Sequence, residues 1–267
     1  MRIGVVQMQS VDDLETNLGA AKTLVDEAAA GGAEWVALPE MFAYLRREGQ
    51  AFPCAQSIDG SILAEVRGWA RAHGVWILAG TIAEASGDDR VYNTSVLIDP
   101  AGETVAVYRK MHLFDVDLAD QGGQAYQESK SIAPGEELTV AETPFGGVGL
   151  SVCYDLRFPE LYRALMKNGD VRFLTVPSAF AQQTGRDHWE ALLRARAIEN
   201  QCFVVAPAQW GQHTPDRASH GRSMVVDPWG VVLAMAPDRP CVLLADCDLA
   251  QQDRIRASLP VLQHRRI

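Results

Sequence analysis

Short apolar runs alternate with segments of helical period through the first half of the chain. Residues 3–9 form an apolar run that predicts a buried strand. From Leu14 to Ala28 the apolar residues recur at helical spacing, which predicts one buried helix face. Asp12-Asp13 suit the N-cap of this helix, and Gly31-Gly32 suit its end. Further elements are predicted as strands at 33–38, 75–80, 91–98 and 103–109 and a helix near 60–73.

The second half resumes this alternation after a stretch from about 111 to 137 that has no clean period. Loops this long inside a compact domain are usually functional or disordered, and we expect a functional one. Pro159 suits the first turn of a helix, and Asp187 suits the cap of another helix over 187–200. Strands alternating with helices, then hairpins, predict an α/β fold with a mixed sheet in a single domain over 1–267. The strands of this half are predicted near 138–143, 147–153, 171–177, 202–208, 219–227, 230–236 and 241–248.

Composition narrows the possible classes of function. Hydrophobic residues make up 48% of the 267 and charged residues 22%, as in globular rather than disordered chains. The formal net charge of -10 leaves no broad basic surface for nucleic acid. The N-terminus lacks a signal-peptide pattern, and no stretch approaches the roughly 18 apolar residues of a membrane span. We therefore predict a soluble, cytoplasmic protein with no nucleic-acid or membrane partner.

The five cysteines are Cys54, Cys153, Cys202, Cys241 and Cys247. Their odd number, irregular spacing and lack of a C-x-x-C pair argue against a disulfide framework and a structural zinc site. Cys153 ends a buried strand just before a tight turn into a helix, which is the geometry of a nucleophile elbow. The positive end of that helix would favour the thiolate. The other four are interpreted as buried apolar residues, which is the common role of a free cysteine.

A reactive thiol needs a base and a group that stabilises an oxyanion. Glu40 follows the apolar strand over 33–38, so we expect it at the same carboxyl edge of the sheet as Cys153. Lys110 ends the strand over 103–109 and is a candidate oxyanion stabiliser. On position alone, each could also be an ordinary charged strand end. None of the six histidines stands out by spacing, so a cysteine–histidine protease remains possible without support.

The segment after Lys110 raises the question of a metal site. His112, Asp115 and Asp117 lie close together in the sequence. However, H-x-x-D-x-D is not an established ligand spacing, and no neighbouring cysteine or second histidine supports it. We therefore expect neither a metal nor another cofactor.

Three separated segments together resemble a known family. They are L-P-E-M-F around Glu40, Y-R-K-M-H-L-F-D around Lys110 and S-V-C-Y-D-L-R-F-P-E around Cys153. In this order they resemble the nitrilase superfamily of carbon–nitrogen hydrolases, and the similarity extends over essentially the whole chain. Within it, the chain looks like the Nit-type amidase branch, and the segments after Pro177 look closest to deaminated glutathione amidases. The stretch over 121–125 departs from the usual loop of the family.

The resemblance implies a four-layer α-β-β-α sandwich and a hydrolase with a Glu–Lys–Cys triad. Glu40 would be the general base, Cys153 the nucleophile that forms a thioester, and Lys110 an oxyanion stabiliser. The backbone N–H of Tyr154 would be the second oxyanion donor. Glu128 would be a further carboxylate that orients Lys110 and the substrate amide.

The resemblance also implies a pocket for a small amide. Arg157 follows Cys153 by one helical turn, on the same helix face, and would meet a substrate carboxylate. A salt bridge from Arg157 to Glu160 is the alternative interpretation. Phe180 and Thr184 would line the pocket.

The implied substrate is a small amide with at least one carboxylate. A net charge of -10 repels an anion unless a local cation attracts it. Deaminated glutathione is favoured; an ω-amidase acting on 2-oxoglutaramate or 2-oxosuccinamate would use the same triad and differ in its pocket. A nitrilase proper and a non-catalytic binding protein fit the quoted segments less well. A homodimer or higher homo-oligomer is also implied, with the helix after Cys153 and the tail over 259–267 near the interface.

Overall fold

Helices and strands are described here for residues 1–87, 89–121, 125–167 and 169–266 of a computed structural model. The helices are α1 (Leu14–Ala30), α2 (Ser61–His73), α3 (Pro159–Leu165), α4 (Gln182–Asn200) and α5 (Leu249–Ser258). The strands of the first half are β1 (Arg2–Gln7), β2 (Trp35–Ala37), β3 (Trp76–Ala85), β4 (Val91–Ile98), β5 (Thr104–Arg109), β6 (Asp115–Asp117), β7 (Ala125–Gln127) and β8 (Ile132–Ala133). Those of the second half are β9 (Val140–Ala141), β10 (Gly147–Leu150), β11 (Val171–Thr175), β12 (Phe203–Ala206), β13 (Trp210–Thr214), β14 (Arg217–His220), β15 (Met224–Val226), β16 (Val232–Met235) and β17 (Cys241–Asp246). Short 3₁₀ helices cover Ala119–Gln121, Glu128–Lys130 and Cys153–Arg157.

Two mixed sheets organise the chain where it is described. The first has the order β17-β1-β2-β3-β4-β5, with β8 beside β4, and its strands β1, β2 and β3 run parallel. The second has the order β16-β15-β12-β11-β10-β9, with β10, β11 and β12 parallel. The mixed sheet expected from the strand pattern is present as two separate sheets. An apolar run shows that a strand is buried, but it does not specify which strands pair.

The two sheets pack face to face, and helices cover their other faces. Trp35 of the first sheet meets Phe173 of the second in this shared core, with ring centroids 5.6 Å apart. Replacing Trp35 with alanine would leave a cavity between the sheets and cost about 3–5 kcal/mol. Helices α1 and α2 bury Val25 and Val66 against the first sheet, and α4 buries Trp189 against the second. The layers are thus α-β-β-α, which confirms the four-layer sandwich.

Helix α1 illustrates how local sequence sets an element. Asp13 is its N-cap and accepts a hydrogen bond of 2.7 Å from the Thr16 N–H, while Gly31 is its C-cap. The apolar positions, including Leu18 and Val25, are buried. These observations confirm the predicted caps and the predicted buried face.

Helix α4 begins at Gln182, five residues before the predicted start at Asp187. The early turns contain Gly185, which usually weakens a helix. Here a Cβ at position 185 would come within 2.4 Å of the His220 side chain. Close packing therefore requires this glycine, and the prediction that Asp187 caps the helix is wrong.

Two elements near the C-terminus have no counterpart in the sequence prediction. Strand β13 pairs with β14 in a separate hairpin. Helix α5 follows Asp248, whose side chain accepts a hydrogen bond of 3.1 Å from the Gln251 N–H. An aspartate before a polar helical segment was the available signal for α5. Across the ranges given above, none of the helices is long and apolar enough to cross a bilayer.

The prediction of one domain over residues 1–267 stays a prediction, supported by the core that both sheets share. Two other expectations fall partly outside the described residues. The departure from the family loop concerns mainly residues 122–124, and the tail over 259–267 includes residue 267.

Candidate active site

Glu40 lies on a loop that leaves the first sheet after β2. The loop passes so close to β3 that a Cβ on Gly80 would be 2.0 Å from the Leu38 carbonyl oxygen and 2.2 Å from that of Pro39. After Glu40, Met41 has a left-handed backbone (φ 52°), and its N–H donates to the Thr81 hydroxyl at 2.8 Å. Glycine at position 80 thus permits the close approach that positions Glu40.

Lys110 follows β5 and is held by backbone hydrogen bonds on both sides. Its N–H donates to the Asn93 carbonyl at 2.9 Å, and its carbonyl accepts from the Gly135 N–H at 2.8 Å. The side chain is 2% exposed and reaches two carboxylates. Its Nζ lies 3.2 Å from Glu40 Oε1 and 2.9 and 2.8 Å from the two oxygens of Glu128. A buried ammonium is thereby paired on two sides.

Cys153 begins the 3₁₀ helix that follows β10. Its backbone is left-handed (φ 49°), and its N–H donates to the Pro177 carbonyl at 3.0 Å. A side chain rarely adopts this conformation without a functional or packing reason. The turn places Cys153 in the wall of the cavity that Glu40 also lines, and the charge of Glu40 acts on the thiol there. The predicted elbow is therefore present, built on a short 3₁₀ helix.

Glu40 and Cys153 belong to different sheets. Glu40 follows β2 of the first sheet, whereas Cys153 follows β10 of the second. The expectation that they share the carboxyl edge of one sheet is wrong. They meet because the sheets stack face to face, so that loops from both reach a common cavity.

Asn93 and the Ala179 backbone N–H complete the surroundings of the Glu40 carboxylate. Glu40 Oε1 also accepts from Asn93 Nδ2 at 2.8 Å, and Oε2 accepts from the Ala179 N–H at 2.6 Å. Burial raises the pKa of Glu40, but the charge of Lys110 and the hydrogen bonds outweigh it, and the net pKa is lowered. Glu40 is thus an ionised carboxylate that already accepts several hydrogen bonds.

The resting state of Cys153 differs from the sequence expectation. Burial and then the negative charge of Glu40 raise the pKa of the Cys153 thiol well above its usual value, and the opposing charge of Lys110 does not compensate. The expected thiolate is therefore wrong, because a five-residue 3₁₀ helix contributes little field against a neighbouring carboxylate. The proton lies on sulfur and the negative charge on Glu40. Lys110 remains protonated, since both glutamates raise its pKa more than burial lowers it.

Glu128 joins the loop over 111–137 to Lys110. Besides its two contacts with Nζ, Glu128 Oε2 accepts from the Phe114 N–H at 2.6 Å. The loop segment contains the β6–β7 hairpin, whose Asp115 pairs with Gln127. The long aperiodic stretch thus brings a carboxylate into the site.

His112 and the nearby aspartates do not converge. His112 Nδ1 lies 2.7 Å from Asp155 Oδ1, and the His112 ring stacks on Phe158 with centroids 3.7 Å apart. Asp115 instead accepts from the Ser129 N–H at 3.0 Å. No cluster of three metal-binding side chains occurs in the part of the chain described. The chemistry of the site is therefore that of a thiol, an ammonium and carboxylates.

The residues meet in an open cavity of about 690 Å³, a volume that includes the adjoining solvent space. Tyr154, Phe180 and Thr184 line it. The Thr184 hydroxyl is buried without a hydrogen-bond partner among the described residues. The full lining is Glu40, Met41, Tyr44, Arg46, Glu48, Phe52, Asn93, Lys110, Phe114, Tyr126, Glu128, Ile132, Cys153, Tyr154, Ala179, Phe180, Ala181, Thr184 and Arg217.

Arg157 lies beside this cavity rather than in its lining. Its guanidinium is 5.1 Å from the centroid of the Phe180 ring, and Nη1 is 3.2 Å from His188 Nδ1. A 3₁₀ helix has three residues per turn, so position 157 lies roughly a third of a turn away from Cys153. The same-face expectation for Arg157 is therefore wrong. The alternative salt bridge to Glu160 is also absent from the described ion pairs.

The polar residues of the cavity that were missed at the level of sequence include Asn93, Arg46, Glu48 and Arg217. The signal for Asn93 was available, since it begins a run of three polar residues inside the otherwise apolar strand β4. Arg46 and Arg217 lie in segments without a recognisable motif. Nothing in local sequence shows that they face the same cavity.

The other cysteines lack such surroundings. Cys202 is buried, its sulfur lies 3.2 Å from the Val171 carbonyl, and burial raises its pKa to about 12. Cys247 has a pKa raised to about 12, again mainly by burial. Neither lines the cavity.

Comparison with known proteins identifies the family. The carbon–nitrogen hydrolase family matches residues 2–257 of this chain. The chain belongs to the carbon–nitrogen hydrolases. Within this family, the human protein named deaminated glutathione amidase is 45% identical over 270 residues, which cover 99% of this chain and 82% of the relative.

Solved structures of carbon–nitrogen hydrolases have the same fold. The Caenorhabditis elegans NitFhit protein superposes with a TM-score of 0.91 at 42% identity, covering 99% of this chain and 65% of that one. A mutant amidase from Nesterenkonia sp. AN1 superposes with a TM-score of 0.83 at 27% identity, covering 100% of this chain and 94% of that one. That structure shows covalent addition of the acetamide moiety of fluoroacetamide at the active-site cysteine. These matches confirm the resemblance to the nitrilase superfamily and its Nit branch.

Proposed function

We propose that this carbon–nitrogen hydrolase is a cysteine amidase that cleaves the C–N bond of a small amide bearing a carboxylate, with deaminated glutathione as its substrate. One observation carries the proposal. Glu40 Oε1 accepts a hydrogen bond from the Lys110 ammonium at 3.2 Å, and Cys153 lines the same cavity, where the charge of Glu40 acts on its thiol. This arrangement provides a nucleophile, a base and a cation at one cavity.

In the first half-reaction, Glu40 takes the thiol proton as sulfur attacks the amide carbonyl carbon. Lys110 Nζ stabilises the negative charge that develops on the carbonyl oxygen. The Tyr154 N–H is the second donor, because the first N–H groups of a helix have no acceptor within it. Glu40 then gives its proton to the departing nitrogen, the C–N bond breaks, and a thioester on Cys153 remains.

In the second half-reaction, the same carboxylate removes a proton from water. The oxygen attacks the thioester, the acid is released, and the proton returns to sulfur. A base with a lowered pKa beside a thiol with a raised pKa supports this cycle, because the resting proton lies on Cys153. Both half-reactions need only one base.

Glu128 acts on Lys110 and on the substrate amide. Its two oxygens lie 2.9 and 2.8 Å from Nζ, which fixes the ammonium and keeps it charged. A buried cation beside two carboxylates also reduces the repulsion between Glu40 and Glu128. We therefore assign Glu128 to orientation rather than to proton transfer.

The substrate assignment rests on the relatives and on the cavity. The human relative at 45% identity is named deaminated glutathione amidase. Deaminated glutathione is a tripeptide derivative with an oxo group in place of the amino group, and hydrolysis yields 2-oxoglutarate and a dipeptide. Phe180 and Thr184 line the cavity and would contact its acyl part. Arg157, beside the cavity, stays a predicted carboxylate contact.

The test compares substrates through a shared product. Deaminated glutathione and 2-oxoglutaramate both release 2-oxoglutarate, so kcat/KM for each is measured by the same coupled assay. We expect deaminated glutathione to be hydrolysed with the higher kcat/KM. A much higher value for 2-oxoglutaramate would indicate an ω-amidase instead. Turnover of nitriles alone would indicate a nitrilase, and no turnover of any of these would leave a binding protein.

We also propose a homodimer in the cytoplasm, as the family resemblance and the sequence imply. The tail supports an interface, because Leu259 is 46% exposed although it is apolar. Light scattering at micromolar concentration tests the assembly, and a monomer would contradict it. Fractionation of the source cells tests the location.

A further inference from the structure

The cavity holds six charged side chains, and they form two groups. Lys110 contacts the two carboxylates Glu40 and Glu128, so this group has one net negative charge. The remaining charged lining residues are Arg46, Arg217 and Glu48, which together have one net positive charge. The second group therefore brings one surplus positive charge to the cavity, besides the catalytic ammonium and its two carboxylates.

Arg46 is buried and incompletely paired. It is 5% exposed, Nη2 donates to the Ser131 hydroxyl at 2.7 Å, and Nη1 donates to the Arg47 carbonyl at 3.1 Å. Its guanidinium lies 4.4 Å from the centroid of the Phe52 ring, which also lines the cavity. Its Nε is buried and has no partner among the residues described. A buried cation without a carboxylate is costly unless a ligand supplies one.

Arg217 faces the same cavity from the second half of the chain. It begins β14, and this strand is fixed to the cavity wall, because the His220 N–H donates to the Phe180 carbonyl at 2.9 Å. Neither Arg217 nor Arg46 forms an ion pair with a carboxylate within the described ranges. Burial is the main cause that lowers the pKa of Arg46; the charge of Glu48 raises this pKa, and the charge of Arg217 lowers it by a smaller amount, so the two guanidinium groups repel each other. An anion between them would relieve this repulsion.

We propose that Arg46 and Arg217 bind a carboxylate of the substrate and so select anionic amides. This inference deepens the proposed function and rests on it. Guanidinium groups match carboxylates geometrically, and the resulting hydrogen bonds are charge-assisted. The subsite consists of Arg46, Arg217 and Glu48. The negative charge of Glu48 reduces its net charge to +1, which balances one substrate carboxylate and disfavours a second.

The experiment measures binding without turnover. Cys153→Ala is titrated by calorimetry with deaminated glutathione, with 2-oxoglutaramate and with glutarate. The same titrations are repeated after adding Arg46→Gln or Arg217→Gln. Arg254→Gln is the matched control, because its side chain is 67% exposed, pairs with Asp248 and carries the same charge outside the cavity. Arg157→Gln tests the residue that the sequence singled out.

We expect either cavity variant to raise the Kd about tenfold or more, whereas Arg254→Gln leaves it unchanged. If binding of both amides weakens, the arginines bind the carboxylate of the acyl part. If binding of deaminated glutathione alone weakens, they bind the carboxylate of the departing dipeptide. Arg46→Lys keeps the charge but not the fork, and it should restore binding only partly. Since Arg46 is buried, Arg217→Gln, with a partly exposed side chain, also tests the subsite if Arg46→Gln does not fold.

An unchanged Kd in Arg46→Gln and Arg217→Gln, with weaker binding in Arg157→Gln, would overturn the proposal. If Cys153→Ala binds neither amide, the proposed substrate is wrong, and glutarate then decides the subsite alone. Glutarate binding that weakens in both cavity variants supports the arginine pair. In that case, glutarate binding that is unchanged in both cavity variants, or no glutarate binding at all, refutes the arginine pair as a carboxylate site.

Discussion

The Tyr108 hydroxyl donates a hydrogen bond of 2.7 Å to Asp155 Oδ2, and both side chains are buried. Tyr108 lies two residues before Lys110, and Asp155 lies two residues after Cys153. Asp155 also accepts from the Val152 N–H at 2.8 Å and from the His112 N–H at 3.0 Å. One carboxylate therefore joins the end of a strand in the first sheet to the elbow that follows a strand in the second.

Replacing Asp155 with asparagine should disturb this junction. The amide has one acceptor oxygen, and its NH₂ group would face donors that the carboxylate now satisfies. We expect a loss of about 2 kcal/mol or more in the free energy of unfolding and a lower kcat. Chemical denaturation and steady-state kinetics measure the two effects. Asp238→Asn, at a site 62% exposed, is the control and should change neither.

Gly80→Ala should move Glu40. The added methyl would meet the carbonyl oxygens of Leu38 and Pro39 at 2.0 and 2.2 Å, so the loop that bears the base must shift. A displacement of about 1 Å commonly costs roughly 100-fold in rate, and we expect a fall of that order in kcat/KM. In Gly19→Ala the added methyl meets nothing within 4 Å, so this control should retain full activity. Wild-type kinetics in Gly80→Ala would contradict the proposed positioning.

Cys153→Ala should abolish amide hydrolysis and leave the fold intact. In the proposed mechanism the thiol forms the thioester, and the methyl group of alanine fits the space that the thiol leaves. Mass spectrometry of the wild-type enzyme, quenched during turnover, should find the acyl adduct on Cys153. Cys202→Ala is the control, because Cys202 is outside the cavity. An adduct on Cys202, or residual turnover in Cys153→Ala, would refute the assignment.

The two glutamates should differ in their effects. Glu40→Gln removes the base, so both thioester formation and thioester hydrolysis should stop. Glu128→Gln keeps a hydrogen bond to Lys110 but removes one charge, so kcat should fall while the thioester still forms. Rapid quenching followed by mass spectrometry distinguishes these outcomes. Equal loss of the thioester in both variants would remove the distinction between base and orienting residue.

The pH dependence follows from the direction of the two pKa shifts. The lowered pKa of Glu40 keeps the base ionised above the ordinary carboxyl range near pH 4, so kcat/KM should fall only below it. The raised pKa of Cys153 keeps the proton on sulfur through the range near 8.5 where free thiols ionise. We expect a plateau between these limits. The rate at which iodoacetamide alkylates Cys153 is measured against pH. An increase with an apparent pKa near 8.5 would contradict a thiol that stays protonated through this range.

The Glu40 shift also affects stability, with a definite sign. A carboxyl group whose pKa is lower in the folded chain binds fewer protons there than in the unfolded chain. Its contribution to stability is therefore present above the unfolded pKa, about 4.3, and is lost as the pH falls through the lower folded value. Glu40→Gln should weaken this acid dependence, which urea unfolding at several pH values measures.

Local sequence determined the helices and strands that are bounded by clear capping or turn residues. The caps Asp13 and Gly31 bound α1 because capping depends on neighbouring residues alone. The three segments around Glu40, Lys110 and Cys153 indicated the family, because each is a pattern of neighbouring residues that can be read without knowing the fold. Phe180 and Thr184 were identified in the same way, and both line the cavity.

Tertiary structure alone decided how these pieces meet. The pairing of strands into two sheets brought Glu40 and Cys153 together from different layers, which no apolar run encodes. The charge on the thiol depends on burial and on a carboxylate 113 positions earlier in the chain (153 minus 40), so the expected thiolate was wrong. Arg46 and Arg217 share a cavity although 171 positions (217 minus 46) separate them. Electrostatic interaction and packing depend on distance in space, and only the folded chain fixes that distance.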